Sequence, residues 1–135
     1  MMFDTVLACL AQSADQKSIT LANCYSALEN FQWDSTNILK DTKNDIRKTC
    51  GDCKIRLAVF TAPTDSPSAR LKGVKKAEMT TFLDNVGQTC AGPSTGLIRE
   101  GIWSGPRNEQ GQLTVVLIER GDMKAGSCSG TRKQP

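Results

Sequence analysis

Six cysteines, Cys9, Cys24, Cys50, Cys53, Cys90 and Cys128, run through almost the whole of this 135-residue chain. Nothing else in the sequence limits its structure as much. An even number at scattered positions suits a set of disulfides made in an oxidising compartment. Many pairings are open, and spacing alone does not choose among them. The alternative is a reduced chain in which some cysteines are buried as small hydrophobes. The chain has the length of one domain, and 39% of its residues are hydrophobic, so a core can form without cross-links. The cysteines therefore speak to compartment and rigidity rather than to a core too small to fold.

Charge excludes some partners. Seventeen Lys and Arg against fourteen Asp and Glu give a net charge of +3, well short of the clustered basic footprint of a nucleic-acid binder. No nucleic acid is expected as a partner, and a membrane surface is only weakly supported. No segment has the length of a membrane span. The start has a short apolar run, Val6 to Ala11, but Asp4 precedes it and no basic stretch leads in. It makes a poor signal peptide. A secreted chain of this kind is expected to have lost its leader and gained an initiator Met.

Periodicity sketches the elements. Val6 to Leu10 reads as a short strand or core edge. Ser18 to Leu21 is β-prone and leads to Asn23, a good N-cap residue. Cys24, Ala27, Leu28 and Phe31 share a helical stripe, which predicts a first helix from Cys24 to about Trp33. Asp34 to Thr49 is polar and reads as a loop with a short helical or extended piece. In Lys54 to Thr61, Ile55, Leu57 and Val59 alternate with Lys54 and Arg56, the pattern of a strand with one buried face. Met79, Phe82, Leu83, Val86 and Cys90 follow helical spacing, predicting a second helix from Val74 to Cys90. Strands are expected at Leu97 to Trp103 and Gln112 to Arg120, joined by a long loop from Ser104 to Gly111. The second of these is the most continuous apolar run, fit for a central strand or one covered on both faces. The sum is one α+β domain over residues 1–128, an antiparallel sheet with two helices packed on one face, with a frayed tail at 129–135. A bridge between Cys24 and Cys90, each on a helical stripe, would staple the helical layer.

Chemistry-bearing patterns are few. The chain has no histidine, which removes Ser-His and Cys-His pairs and histidine metal sites. Glu100 and Glu119 could approach each other across the last hairpin, but no aromatic cleft marks them, and solvated carboxylates are the simpler reading. Cys50-Gly51-Asp52-Cys53 is a C-x-x-C motif. It runs into a strand rather than opening a helix, so it lacks the setting that activates a redox thiol. No second pair completes a zinc site. The two cysteines are expected to anchor the strand to other parts of the chain. No phosphate loop and no N-glycosylation sequon is present. No catalytic residue, metal or cofactor is expected. Lys75, Lys76, Arg99 and Arg107 are candidates for a contact surface, with Trp103, at a strand end, as either its aromatic anchor or a cap on the core edge.

Several features together resemble small secreted cysteine-rich fungal proteins of the necrosis-inducing effector and killer-toxin-like type. They are Ile19-Thr20-Leu21-Ala22-Asn23-Cys24-Tyr25-Ser26-Ala27-Leu28, Cys53 ahead of Ile55 to Phe60, Phe82-Leu83 through Cys90-Ala91-Gly92, and the closing strand Gly111 to Glu119. The likeness is one of layout over about Ser18 to Arg120. Many members carry an Asp before the first helix cysteine and Gly-Gly after the last helix, where this chain has Asn23 and Gly92-Pro93. The resemblance implies a secreted α/β sandwich, ferredoxin-like or killer-toxin-like, that acts as a monomer outside the producing cell on a host or competitor protein, without catalysis. A membrane- or channel-acting toxin and a secreted enzyme inhibitor, inserting the loop Ser104 to Gly111, are the alternatives.

Overall fold

The structure is a computed structural model and describes residues 6–10, 18–59, 69–92 and 94–121. Cys128 and the tail at 129–135 lie outside the described residues, as do most of the N-terminal segment and the loop around Pro63 and Pro67.

The element order is β1 (Val6–Cys9), β2 (Ile19–Thr20), α1 (Leu21–Glu29), β3 (Asp45–Cys50), β4 (Cys53–Val59), α2 (Lys76–Thr89), β5 (Leu97–Ile98), β6 (Gly101–Arg107) and β7 (Leu113–Arg120). Five strands form an antiparallel sheet in the order β1-β6-β7-β4-β3, and β2 pairs with β5 in a separate two-stranded ribbon. The expected α+β architecture holds. α1 contacts β3 and β4, while α2 contacts β6 and β1, so the helices share one face of the sheet.

Alternation decides that face. Ile55, Leu57, Val116 and Ile118 are fully buried beneath the helices with Met79, Phe82 and Leu28. Ile102, Val115 and Leu117 occupy the alternate positions, stay half-buried, and belong neither to the core nor to its packed margin. β7 is the middle strand, as its apolar run suggested, but only one of its faces carries helices.

Several boundaries differ from expectation. α1 begins three residues before Cys24 and ends at Glu29. Thr20, not Asn23, is the N-cap, and its side chain caps nothing. The segment read as a polar loop holds a whole strand, β3. Its pattern is weak because an edge strand buries little: Ile46 and Cys50 are buried, while Arg47 is exposed. The strand expected from Leu97 to Trp103 is split, since Leu97 and Ile98 turn away to pair with β2.

The disulfides correct the proposed staple between the helices. Cys9 bonds Cys90 and Cys24 bonds Cys53. Each helix is thus tied to the sheet, α2 at its C-terminal end to β1 and α1 to the start of β4. Cys50 is also disulfide-bonded, to a residue outside the described ones. The helices meet each other through polar side chains instead. Tyr25 donates to Asp84, and Lys76 Nζ pairs with Glu29 Oε1 at 2.7 Å. Burial and then the neighbouring Asp84 carboxylate push the Tyr25 hydroxyl up to about 12, so it stays a donor.

The C-x-x-C motif is the turn of the β3–β4 hairpin, docked on the start of α1. Gly51 takes φ +57°, and a Cβ there would lie 2.6 Å from Asn23 Nδ2, so both the turn and the contact require glycine. Asp52 supplies the cap that Thr20 does not. Its carboxylate accepts from the Thr20 amide at 3.0 Å and 3.1 Å, the Thr20 hydroxyl at 2.8 Å and Asn23 Nδ2 at 3.0 Å, with Arg120 at 3.5 Å. Burial raises the Asp52 pKa, but the donors from Asn23 and Thr20 and the Arg120 charge outweigh it and hold the carboxyl below its ordinary value.

Two outcomes follow. Asp52→Ala should lower unfolding free energy by about 2–3 kcal/mol in urea titrations at neutral pH, since it strips several charge-assisted hydrogen bonds at once. A carboxylate whose folded pKa is depressed stabilises fully above its unfolded value of about 4 and loses that stabilisation as pH falls through the folded value. The variant should therefore lose less stability than the parent chain as pH falls below about 4. Reduction of the bridges should lower the thermal midpoint strongly, each native bridge being worth about 2–5 kcal/mol; an unchanged calorimetric midpoint in reductant would contradict a structural role.

Candidate binding surface

Two surface hollows gather at the N-terminal turn of α2, and a turn far away in sequence builds one wall. Asp34 Oδ1 accepts from the Thr36 amide at 2.8 Å, the Thr36 hydroxyl at 2.7 Å and the Ile38 amide at 3.0 Å. These donors, Ile38 first, hold the Asp34 carboxyl below its ordinary value. The closed turn puts Asn37 at φ 64°, a conformation asparagine tolerates better than most residues. It aims the Asn37 carbonyl at the Lys76 amide, 3.0 Å away. That bond satisfies one of the open donors at the start of the helix. Leu39, fully buried, anchors the turn in the core.

Between this turn and the helix lies an open groove of about 490 Å³, lined by Thr36, Asn37, Ile38, Lys75, Lys76, Ala77 and Thr80. Ala77 also lines a second open depression of about 270 Å³, with Glu78, Thr81, Trp103 and Gly105. The two hollows thus meet along the first turn of α2. Neither is an enclosed cavity of the kind that swallows a small ligand.

Three of the five proposed contact residues, Trp103, Lys75 and Lys76, come together here. Their roles differ. Lys75 is exposed, and among the described residues no carboxylate pairs with it. Lys76 is committed to Glu29 and helps join the helices. Trp103 is half-buried. Its ring stacks on Phe82 with centroids 4.9 Å apart and planes 13° off parallel, closing the core edge, while it also lines the smaller hollow.

Arg99 and Arg107 do not join them. Arg99 follows β5, and its amide donates to the Cys90 carbonyl at 2.8 Å. That places it at the far end of α2, about 20 Å from Lys75 for a helix of this length. Its Nε is buried and has no hydrogen-bond partner among the described residues. Arg107 ends β6 and donates from Nη1 to the Gly111 carbonyl at 2.8 Å, closing the β6–β7 turn.

The expected long loop from Ser104 to Gly111 is instead strand up to Arg107, with a bulge between Ser104 and Arg107, followed by a tight turn. Buried Asn108 holds that turn to residues 69–73. Its Nδ2 donates to the Arg70 carbonyl and to Gln112 Oε1, while its Oδ1 accepts from the amides of Gln110 and Gln112. Nearby, a Cβ at Gly73 would meet the Glu109 amide at 2.4 Å. Sequence reading missed this clasp, because Asn108 is one of four polar residues between Pro106 and Gly111 and nothing local sets it apart. The acidic pair is also engaged elsewhere. Glu100 accepts from the Arg120 amide at 3.1 Å, and Glu119 pairs with Lys54 at 3.5 Å.

No protein-family model, curated protein or solved structure matches the chain. The surface is therefore read from its own geometry.

Asp34→Ala should speed hydrogen exchange at the Ile38 and Lys76 amides and cost about 1 kcal/mol of stability, the scale of a local hydrogen-bonded turn. Lys75→Ala should leave the urea midpoint unchanged within about 0.5 kcal/mol, as for other exposed side chains.

Proposed function

We propose that this chain is a secreted, disulfide-locked effector that acts outside the producing cell by binding a host or competitor protein, without catalysis, through the surface at the first turn of α2. The observation that carries the reading is the continuous open surface in which exposed Lys75, half-buried Trp103 and the hydroxyls of Thr36, Thr80 and Thr81 surround the small Ala77 and Gly105. A rigid aromatic edge beside an exposed cation along an open groove suits a protein contact better than an enclosed ligand site.

Two further features support it. Cys24, Cys53 and Cys90 sit in the core with almost no exposure, each in a bridge that ties a helix to the sheet. Such cross-links suit an oxidising, extracellular setting. The carboxylates best placed for acid–base work, Glu100 and Glu119, already hold backbone and ion-pair partners. Of the alternatives, enzyme inhibition draws little support from the β6–β7 connection, because its turn is clasped to the body rather than projecting. Membrane or channel action would draw on the same exposed Lys75.

The test is a charge and shape change at the floor. Lys75→Glu with Ala77→Arg should abolish the response of host tissue, or of competitor growth, to the purified protein, while Arg99→Ala retains it. Circular dichroism and thermal midpoint should be unchanged in both. A doubly substituted protein that is folded and fully active would rule out this surface.

A further inference from the structure

β3 is one edge of the five-stranded sheet. Antiparallel pairing with β4 engages every second residue of it. The Val59 amide donates to the Asn44 carbonyl at 3.0 Å, so Asn44, and by alternation Ile46, Lys48 and Cys50, turn their backbone groups toward β4. The backbone groups of Lys43, Asp45, Arg47 and Thr49 point the other way. The Lys43 carbonyl accepts from the Leu71 amide at 2.8 Å, which closes the edge at that end. Among the described residues, nothing bonds the amides or carbonyls of Asp45, Arg47 and Thr49. Arg47 is exposed, and an open groove of about 390 Å³ follows the strand, lined by Asp41, Lys43, Asp45, Ile46, Arg47 and Lys48.

Charge along this groove is unbalanced. Asp45 is held by Arg56 through both guanidinium nitrogens, and Asp41 accepts from the Lys43 amide at 2.8 Å. Among the described residues, Lys43, Arg47 and Lys48 have no carboxylate within ion-pair distance. Arg47 stands directly across from Arg56, and only Arg56 has an ion-pair partner. The edge therefore offers a row of open backbone groups beside three uncompensated cations.

We propose that this edge takes an extended acidic segment of a partner protein, added as a sixth strand beside β3. It is a contact separate from the first turn of α2, since α2 packs on β1 and β6 at the other side of the sheet. Main-chain hydrogen bonds to Asp45, Arg47 and Thr49 hold the segment, and alternate side chains select it. In the antiparallel sense, one carboxylate stands opposite Arg47 on the outer face. The residue before it stands opposite Lys48 on the helix side, where a second carboxylate fits. The residue after it covers Ile46, the most exposed member of the core at 7%, and is apolar. The segment thus reads acidic, acidic, apolar. Two other occupants carry the wrong charge. A second copy would set Arg47 and Lys48 against cations of the same strand, and like charges directly opposite destabilise a strand pair. The chain's own last residues, 129–135, contain Arg132 and Lys133 and neither Asp nor Glu.

Hydrogen exchange and amide chemical shifts of the full oxidised chain read this edge residue by residue. In the free protein the Arg47 and Thr49 amides should exchange fast, and those of Ile46 and Lys48 slowly. The probes are the end-blocked peptide TVTEEVT, whose glutamates fall opposite Lys48 and Arg47, and its counterpart TVTKKVT. At millimolar concentration TVTEEVT should slow exchange at Arg47 and Thr49 about fivefold, an effect that fades with added salt. TVTKKVT should leave both amides unchanged. Arg47→Glu with Lys48→Glu should reverse the preference, and Lys75→Ala should not alter it. Four results would overturn the proposal: slow exchange at Arg47 and Thr49 without peptide, equal or absent effects of the two peptides, shifts confined to the first turn of α2, or protection that grows with protein concentration alone as a dimer sediments. The two peptides compared on the unaltered chain are decisive even where the charge-reversed protein does not fold.

Discussion

The contact on which the rest of the structure depends is the seating of the Cys50–Cys53 turn against the first residues of α1. A nine-residue helix has little stability of its own, because nucleation is costly and few bonds follow it. Here the helix starts without a side-chain cap from its own sequence. The hairpin turn supplies one from 32 residues away, through the Asp52 carboxylate on the Thr20 amide. Next to it, the Cys24–Cys53 bridge locks the same helix to β4. Arg120, at the end of β7, reaches both Asp52 and the Ser18 carbonyl, so the middle strand is drawn into the joint. Glycine at position 51 is what permits the close approach.

A division of labour between the two faces of the molecule follows. With each helix tied to the sheet, Tyr25–Asp84 and Glu29–Lys76 join the helix pair beside its apolar packing. Those pairs are partly exposed, and ion pairs of this kind are individually weak. They suffice there because the bridges and that packing carry the constraint. The first turn of α2 is thereby presented as a fixed surface, walled by the Asp34 turn and by Trp103 against Phe82. A site used for protein contact gains from such rigidity, since less conformational freedom is lost on binding.

The sheet's outer face is a different kind of surface. Ile102 and Leu117 lie opposite each other there, with Arg56 next in the row and Arg47 beyond it. Asp45 takes Arg56 in a two-pronged pair, 2.7 Å and 3.2 Å. The carboxylate relieves the repulsion of two guanidinium groups placed directly across the strands. Charged side chains at this edge also discourage pairing with a second copy of the same strand.

Period and turn chemistry in the sequence determined the parts that rest on neighbouring residues. The alternation of β4, the helical stripe from Met79 to Cys90, the apolar run of β7 and the even set of cysteines all follow from local rules, and together they yielded the α+β class and two helices on one face. Where a partner distant in the chain decides the outcome, only the tertiary structure could speak. The strand β3 exists because β4 offers it a ladder, although its own six residues bury little. β2 and β5 are strands because they meet each other. The bridges run from helix to sheet rather than from helix to helix, a choice that spacing leaves open. Asp52 is a cap, Asn108 a clasp and Lys76 a strut, each through groups dozens of residues away. Local periodicity reports how much of a segment faces the core; it holds no record of which distant donor, carbonyl or sulfur will stand beside it, because that is set by the packing of the whole chain.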